Sequence, residues 1–171
     1  MLQLIQVTSD EQNSHVRLLF SEYVQLLYEQ MLHELDQEYG TPIEVDAVLQ
    51  MFMMGIDGFY PPQGRIYLAK YDGDMVGIGC LKPLGGDIGE IKRMFVRSEY
   101  RRKGIGKAIL DQLIADARLM GFTKIRLDSP KVLTISHCLY QSRGFKYIEP
   151  YPGSEGAEFN KDLFVYMELV L

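Results

Sequence analysis

The sequence predicts an α+β domain built on a mixed β-sheet, and three observations lead to this fold class. A long helical pattern near the start of the chain comes before a set of β-hairpins, so helices precede the antiparallel strands. In the second half, strands alternate with helices, which favours a parallel strand pair around one helix. At 171 residues the chain has the usual length of one domain, so we expect residues 1–171 to form a single unit.

The first part of the chain predicts one strand followed by two helices. Residues 2–7 alternate in polarity, as a strand with one buried face does. Apolar residues then recur at spacings of three and four, which predicts a helix that is capped by Ser9 or Asp10 and runs to about Gln37. A second, shorter helix is expected over residues 44–54, before a loop rich in glycine and proline.

The middle of the chain predicts three strands joined by tight turns. The segment RIYLAKY, Arg65–Tyr71, leads through Asp72-Gly73 into a return strand over residues 75–84. After Gly85-Gly86, a third strand is expected over Ile88–Val96. Because short turns join these strands, the first part of the sheet should be antiparallel.

Helices and strands alternate in the remainder of the chain. A helix is predicted from Gly104 to Met120, where Ile105, Ile109 and Leu113 form an apolar stripe. A strand over 123–127 and a helix over 131–143 follow. Closing strands are expected over 145–148 and 163–171, with a loop over 151–161 between them. The whole pattern gives about four helices around a sheet that is parallel near the Gly104 helix.

Composition and cysteine usage limit the functions that are compatible with the chain. A net charge of −5 argues against nucleic acid or an anionic membrane as partner, since both need a basic protein face. We expect no signal peptide, no membrane span and a cytoplasmic location, because the start lacks a basic segment and apolar runs are short. Cys80 and Cys138 predict reduced, buried thiols. The spacing of His15, His33 and His137 predicts no metal site.

A basic turn with two glycines stands where a helix is predicted to begin: Arg101-Arg102-Lys103-Gly104-Ile105-Gly106-Lys107. Cations at a helix N-terminus oppose the helix dipole and cost a few tenths to ~1 kcal/mol each, unless an anion lies there. A Walker A loop would need Gly at 101 and Ser or Thr at 108, where the chain has Arg101 and Ala108. A dinucleotide fingerprint would need a small residue in place of Ile109.

These mismatches favour a third interpretation, in which the turn binds a diphosphate. Gly104 and Gly106 lack Cβ atoms, so a diphosphate can approach the free N–H groups of the first helical turn. The helix dipole and the basic side chains of the turn add positive charge. We therefore predict that all seven residues of the turn form an anion site.

Three further segments give this turn a wider context. Residues 90–110 read EIKRMFVRSEYRRKGIGKAIL, residues 139–145 read LYQSRGF, and the chain closes with FVYMELVL. These segments resemble the GNAT-type N-acetyltransferases, in which R/Q-x-x-G-x-G/A binds the pyrophosphate of acetyl-CoA and LY-x-x-x-GF follows downstream. The resemblance covers nearly the whole chain in element order, with tight matches over residues 90–151.

The resemblance implies the GNAT acyl-CoA N-acyltransferase fold and a direct attack of a primary amine on acetyl-CoA, without an acyl-enzyme. Cys138 is then not needed as a nucleophile, and we expect it to be a small core residue. Tyr140 would be the general acid at the CoA sulfur, or would only pack on the pantetheine arm. Glu90 lies eleven residues before Arg101, where histone-acetylating members carry a catalytic glutamate. It would act as base through a water, or would only pair with Lys92.

The resemblance also assigns cofactor contacts to the strand predicted over 88–96 and to the helix predicted over 131–143. The backbone of Met94, Phe95 and Val96 is expected to hydrogen-bond the pantetheine where this strand separates from its parallel neighbour. Leu133 and Ser136 depart from the Asn and Ala that many relatives carry. The missing Asn affects one side-chain contact in the cofactor cleft.

The sequence leaves the amine acceptor unnamed. In the GNAT family the acceptor pocket is built mainly from the first helices and variable loops, so we expect an acidic and aromatic lining that suits a cationic small molecule or a free peptide amine. A non-catalytic acyl-CoA sensor and a longer acyl donor, such as succinyl- or malonyl-CoA, stay open as alternatives, and so does a homodimer. The residues expected to line the pocket are Glu22, Tyr23, Tyr28, Tyr60 and Tyr151.

Overall fold

The computed structural model describes residues 1–8, 13–32 and 44–171, which contain five α-helices and seven β-strands. The predicted helix cap at Ser9 or Asp10, the predicted helix end near Gln37 and His33 lie outside the described residues. The helices are α1 (Asn13–Leu27), α2 (Val45–Met54), α3 (Ile105–Leu119), α4 (Thr134–Gln141) and α5 (Glu155–Asn160), and α1 continues into a π-helical turn, Tyr28–Leu32. The strands are β1 (Leu2–Gln6), β2 (Arg65–Tyr71), β3 (Asp74–Gly85), β4 (Ile88–Val96), β5 (Lys124–Pro130), β6 (Lys146–Ile148) and β7 (Phe164–Val170).

All seven strands belong to one sheet in the order β1-β2-β3-β4-β5-β7-β6. The pairs β1–β2, β2–β3 and β3–β4 are antiparallel, as short turns require, and β5–β7 and β6–β7 are antiparallel as well. Strands β4 and β5 are parallel, with α3 as the crossover between them. The predicted mixed sheet, antiparallel first and parallel around α3, is confirmed.

Helices cover both faces of the sheet and bury one apolar core on each. Helices α1 and α2 bury residues such as Phe20 and Phe52 against Ile66 and Ile78 of the strands. On the opposite face, the stripe of α3 lies against β2, β3 and β4. Burial of each large side chain of this kind contributes roughly 1.5–3 kcal/mol, which fixes the helices on the sheet. The α3 residues that are at most 1% exposed include Ile105, Ile109, Leu110, Leu113 and Ala117.

Strand β4 is interrupted by a β-bulge. Ile78 of β3 pairs with Phe95 and Cys80 pairs with Lys92, so two residues of β4 lie opposite one residue of β3. Arg93, the first of the two, has the positive φ of 55° that such a bulge allows. The extra residue changes which side chains face α1 and α2.

Strands β4 and β5 separate shortly after they begin to pair. Their parallel ladder ends at Glu90 and Arg126. Beyond this point β4 continues to pair with β3 up to Val96, and β5 continues to pair with β7 up to Pro130. The last residues of β4 and β5 therefore face a gap in the sheet, as the resemblance implied for Met94, Phe95 and Val96.

Two sequence-based expectations are wrong in detail. The predicted loop over 151–161 contains helix α5, whose start is capped by Ser154: its hydroxyl accepts a hydrogen bond from the N–H of Ala157 at 3.2 Å. Cys138 was expected in the core but is exposed, because α4 turns His137 and Tyr140 inward instead. Cys80 is buried as predicted.

Candidate active site

The predicted anion turn leads into α3 with its backbone N–H groups free. Gly104 precedes the helix with φ 79°, and no side chain among the described residues caps this end. The first helical hydrogen bond runs from the N–H of Ala108 to the carbonyl of Gly104 at 2.9 Å. The N–H groups of Ile105, Gly106 and Lys107 come before this bond and point out of the helix end, where they can bind an anion.

Two of the basic side chains in the turn already have contacts. The Nε atom of Arg101 donates to the carbonyl oxygen of Val96 at 3.0 Å, which ties the turn to the end of β4. The Nζ atom of Lys103 lies 4.9 Å from the centre of the Tyr100 ring and 5.2 Å from that of Tyr71. All four basic side chains of the turn are exposed, so each can reach a bound anion by a change of rotamer.

A groove of about 610 Å³ runs between α1 and the segment that connects β4 to α3. Phe95 and Arg101, which belong to the predicted cofactor set, line one side of it. Glu22 of α1 lies on the other side and binds the guanidinium of Arg97 through both carboxylate oxygens, at 2.6 and 2.7 Å. The groove therefore leads from the anion turn toward the face of the sheet that α1 and α2 cover.

The end of β4 places its three predicted cofactor residues on alternating faces. Met94 and Val96 are partly buried on the α3 side, and Phe95 is buried on the α1 side. A Cβ atom at Gly79 would lie 2.6 Å from the Met94 sulfur, so Gly79 leaves room for this side chain. As expected, these side chains serve packing, and the edge of β4 that faces the gap is left for backbone contacts.

Six charged side chains form an ionic cluster where β4 and β5 separate. The Nζ atom of Lys92 lies 2.7 Å from an oxygen of Asp128, which joins the two strands just past the end of their ladder. The same Nζ lies 3.4 Å from Glu155 and 3.8 Å from Glu90. The hydroxyl of Ser154 donates to the other Asp128 oxygen at 2.6 Å. The members of the cluster are Lys82, Glu90, Lys92, Arg93, Asp128 and Glu155.

Glu90 is fully buried within this cluster. Its Oε1 atom accepts a hydrogen bond from the hydroxyl of Tyr151 at 2.9 Å. Its Oε2 atom lies 3.5 Å from the Nζ of Lys82 but has no hydrogen-bond partner among the described residues. Glu90 therefore has both the lysine pairing of a structural acid and an oxygen without a hydrogen-bond partner, which a base needs.

The carboxylates of the cluster differ in proton affinity. Burial raises the pKa of Glu90 above its usual range, although Lys92 opposes the shift. Burial also acts to raise the pKa of Asp128 and Glu155, but their ion pairs with Lys92 lower both values overall. Glu90 is thus the cluster carboxylate that takes up a proton most readily.

Tyr140 projects from α4 into the core beside the gap. It is 5% exposed, and its ring centre lies 5.8 Å from that of Phe145. Burial raises the pKa of the Tyr140 hydroxyl, and the negative charge of Asp128 on β5 and the Tyr23 phenol on α1 raise it further. The phenol therefore stays protonated and lies within electrostatic range of the ionic cluster.

Of the five residues expected to line the acceptor pocket, two lie beside the ionic cluster. Tyr151 donates its hydrogen bond to Glu90. Tyr23 is buried between the rings of Phe52 and Phe95, at centre distances of 6.1 and 5.8 Å, and feels the charges of Asp128 and Arg93. Glu22 lines the groove instead. The other two are partly buried against the core beneath α1 and α2: Tyr28 and Tyr60.

Of the six cluster members, only Glu90 was identified from the sequence as a site residue. Lys92 was named only as its pairing partner, and the other four were not identified: Lys82, Arg93, Asp128 and Glu155. Charged residues within strands usually face solvent, so Lys82 and Arg93 gave no signal of burial. Asp128 follows the strand predicted over 123–127, and Glu155 lies in a segment that was expected to be a loop. Charges inside two neighbouring apolar strands were the one signal that could have identified Arg93 and Asp128.

The described residues contain neither a cluster of metal ligands nor a membrane-spanning helix. No group of three His, Cys, Asp or Glu side chains there is placed to hold a metal ion. No helix in the same residues is long and apolar enough to cross a membrane.

An anion turn beside a gap between two parallel strands defines a class of protein: a transferase that takes its acyl group from a CoA thioester. Residues 27–145 match the model of the family described as acetyltransferase (GNAT) family. The chain belongs to the GNAT family and is an acyl-CoA-dependent N-acetyltransferase, as the motif Arg101-x-x-Gly104-x-Gly106 predicted.

Individual relatives support this assignment. The uncharacterized N-acetyltransferase YsnE of Bacillus subtilis (strain 168) is 30% identical over 100 residues, which are 57% of this chain, and the chain spans 66% of that protein. A GNAT-family acetyltransferase of Staphylococcus aureus Mu50 has a TM-score of 0.73 at 22% identity, over 100% of this chain and 99% of that one. The PaiA N-acetyltransferase of Thermoplasma acidophilum, in complex with coenzyme A, has a TM-score of 0.69 at 16% identity, with the same coverage. The predicted GNAT fold is confirmed.

Proposed function

We propose that the protein transfers an acetyl group from acetyl-CoA to the primary amine of a small molecule or peptide by direct attack. The observation that carries this proposal is the buried carboxylate of Glu90, with its raised pKa and free oxygen, at the point where β4 and β5 separate. A base at that point can take the amine proton while the gap holds the thioester.

The cofactor contacts follow from the two features beside the gap. The N–H groups of Ile105, Gly106 and Lys107 bind the diphosphate, and the basic side chains of residues 101–107 neutralise it. A Cβ at Gly104 would have nothing within 4 Å, which leaves a cradle open to solvent on that side. The backbone of Met94, Phe95 and Val96 hydrogen-bonds the pantetheine arm along the edge that β5 leaves unpaired. Acetyl-CoA supplies the activated thioester carbonyl.

Glu90 and Tyr140 divide the proton chemistry between them. The Glu90 carboxylate accepts a proton from the ammonium group, directly or through a water, so that the amine nitrogen can form the new N–C bond. As the C–S bond breaks, the Tyr140 hydroxyl donates a hydrogen bond to the departing thiolate. Because the pKa of Tyr140 is raised, its hydroxyl stabilises the thiolate by hydrogen bonding more readily than by full proton transfer.

The proposal is tested with purified protein by calorimetry and by release of free CoA. We expect acetyl-CoA to bind, and free CoA to appear when an amine panel of polyamines, amino acids, amino sugars and short peptides is added. If acetyl-CoA binds but no amine of the panel is acetylated, the result would favour the non-catalytic acyl-CoA sensor. Faster turnover with succinyl-CoA or malonyl-CoA than with acetyl-CoA would assign the longer donor. Absence of binding by every thioester would overturn the proposed function.

We further propose that residues 1–171 form a single domain of a cytoplasmic enzyme that takes neither nucleic acid nor a membrane as partner. A homodimer stays open as the alternative to a monomer in solution. One sheet that includes strands from Leu2 to Val170 supports the single domain. The two free cysteines, Cys80 and Cys138, suit a reducing compartment. Light scattering of the purified protein tests the dimer.

A further inference from the structure

Arg93 is a buried cation at the β-bulge of β4. Its φ of 55° turns its side chain to the same face as that of Lys92, so two consecutive residues both contact Glu155. The side chain is 4% exposed. The bulge thus adds a second positive charge beside the gap, on the face of the sheet that α1 and α2 cover.

Three phenylalanine rings surround the Arg93 guanidinium. Its central carbon lies 4.4, 5.1 and 5.8 Å from the ring centres of Phe52, Phe59 and Phe20. These rings stabilise the cation through their faces, but they offer no hydrogen-bond acceptors. The polar edges of the guanidinium therefore depend on other groups.

Most of those edges have no partner. The Nη2 atom lies 3.3 Å from Oε1 of Glu155, while Nε and Nη1 are buried without a hydrogen-bond partner among the described residues. One N–H on Nε and two on Nη1 are therefore free, and free donors of this kind are costly in a folded protein. Donors in this state indicate a planar, anionic acceptor such as a carboxylate.

The carboxylates of the ionic cluster leave most of the Arg93 guanidinium unused. Lys82, Lys92 and Arg93 face the three carboxylates of Glu90, Asp128 and Glu155. Glu155 divides its two oxygens among all three cations. A carboxylate placed beside Arg93 could therefore accept hydrogen bonds from the Nε and Nη1 groups that no cluster carboxylate uses.

Arg93 and Glu90 belong to the same network and are joined through Lys92 and Glu155. Lys92 contacts both Glu90, at 3.8 Å, and Glu155, at 3.4 Å, and Glu155 contacts Arg93 at 3.3 Å. A molecule that carries an amine and a carboxylate a few bonds apart could therefore face both Glu90 and Arg93. Free amino acids have this arrangement.

We propose that the acetyl acceptor is a small amino acid whose free carboxylate binds to the guanidinium of Arg93. This inference rests on the proposed N-acetyltransferase function and names the acceptor class for the same site. It replaces the purely cationic amine expected from the sequence by a zwitterion, in which the ammonium faces Glu90 and the carboxylate faces Arg93.

The test compares each standard amino acid with its α-carboxamide as acceptor, with CoA release as the readout. The amide keeps the amine and side chain but loses the carboxylate. We expect kcat/KM for at least one amino acid to exceed that for its amide by about tenfold or more. The α-amine of an amino acid amide is less basic than that of the free amino acid, so a larger fraction of it is deprotonated. This difference favours the amide as acceptor and so works against the expected result. Equal or higher kcat/KM for the amides would overturn the carboxylate assignment and leave the proposed function intact.

A substitution gives the matched experiment. Arg93→Lys keeps a cation near the rings but loses the planar donors, so KM for the best amino acid should rise about tenfold or more, with KM for its amide unchanged. Arg143→Lys, at a surface pair with Asp111, is the control and should change neither value. An unchanged KM for the amino acid in Arg93→Lys would contradict the proposal. If that variant does not fold, the wild-type acid and amide comparison decides. Turnover of polyamines or peptides but of no amino acid would overturn this inference alone, whereas no turnover of any amine would overturn the proposed function as well.

Discussion

At the level of single residues, burial determines what the Tyr140 hydroxyl can do at the departing thiolate. Burial raises the pKa of this hydroxyl, whereas a thiol has a pKa of about 8.5. Complete transfer of the proton to the thiolate would therefore cost about 1.36 kcal/mol for each unit by which the two pKa values differ. A buried hydrogen bond to an anion does not need that transfer and is stronger than the same bond in water. We therefore regard Tyr140 as a fixed donor.

Tyr140→Phe should lower kcat by about tenfold or more, because the thiolate loses a buried hydrogen bond in the transition state. The dissociation constant of acetyl-CoA should stay near that of the wild type, since the ring remains to pack beside Phe145. Steady-state CoA release and calorimetry measure the two quantities. Tyr147→Phe, at a residue 53% exposed, is the matched control. An unchanged kcat in Tyr140→Phe would show that the ring only packs.

The second residue-scale prediction concerns the pH dependence of Glu90. A base must be ionised, so kcat/KM should rise with pH through the pKa of Glu90, which burial holds above its usual range of about 4.3. Glu90→Gln should lower kcat by about tenfold or more and remove this rising limb. The matched control is Glu168→Gln, whose carboxylate pairs with Lys124 and Arg126. A rising limb that survives unchanged in Glu90→Gln would reject Glu90 as the base.

At the level of elements, local patterns predicted the strands well and long-range contacts poorly. The bounds of β2 and β4 were predicted without error, because polarity alternates between clear turn glycines. The bulge at Arg93 could not be predicted from the residue type, because arginine rarely adopts a positive φ. Helix α5, six residues long, is too short for a periodic apolar pattern. The ionic cluster joins β3, β4, β5 and α5, and only the folded chain brings them together.

The turn before α3 can be tested by comparing the two ends of that helix. Gly104 and Gly121 have φ values of 79° and 82°, and nothing lies within 4 Å of a Cβ at either position. Valine should therefore strain the backbone at both positions to a similar degree. Gly104→Val should also move the N–H groups that bind the diphosphate, and so abolish acetyl-CoA binding.

Gly121→Val, at the opposite end of the helix, should lose similar stability but keep its affinity for acetyl-CoA. Thermal unfolding and calorimetry on both variants separate the two effects. Wild-type affinity in Gly104→Val would contradict the anion site. An equal loss of affinity in both variants would indicate general strain in α3 instead.

At the level of the whole molecule, the gap makes the sheet two halves that share few backbone hydrogen bonds. Strands β1 to β4 form one half, and β5, β7 and β6 form the other. The short ladder that ends at Glu90 and Arg126 joins them, and the Lys92–Asp128 pair adds a side-chain contact just beyond it. A ligand that binds along the edge of β4 and at the start of α3 would therefore stabilise the fold where the sheet is weakest.

Acetyl-CoA should raise the melting temperature of the protein in proportion to the logarithm of its concentration. At a hundred times its dissociation constant, a ligand that binds only the folded state adds about 2.7 kcal/mol, or roughly 5–10 °C for a chain of this size. Pantetheine at the same concentration lacks the diphosphate and should shift the melting temperature by less than about 2 °C. Differential scanning calorimetry of the wild type and Gly104→Val measures both shifts. Equal shifts with acetyl-CoA and pantetheine would mean that the turn at residues 101–107 contributes nothing to cofactor binding, and the wide gap between β4 and β5 would then have to bind the cofactor alone.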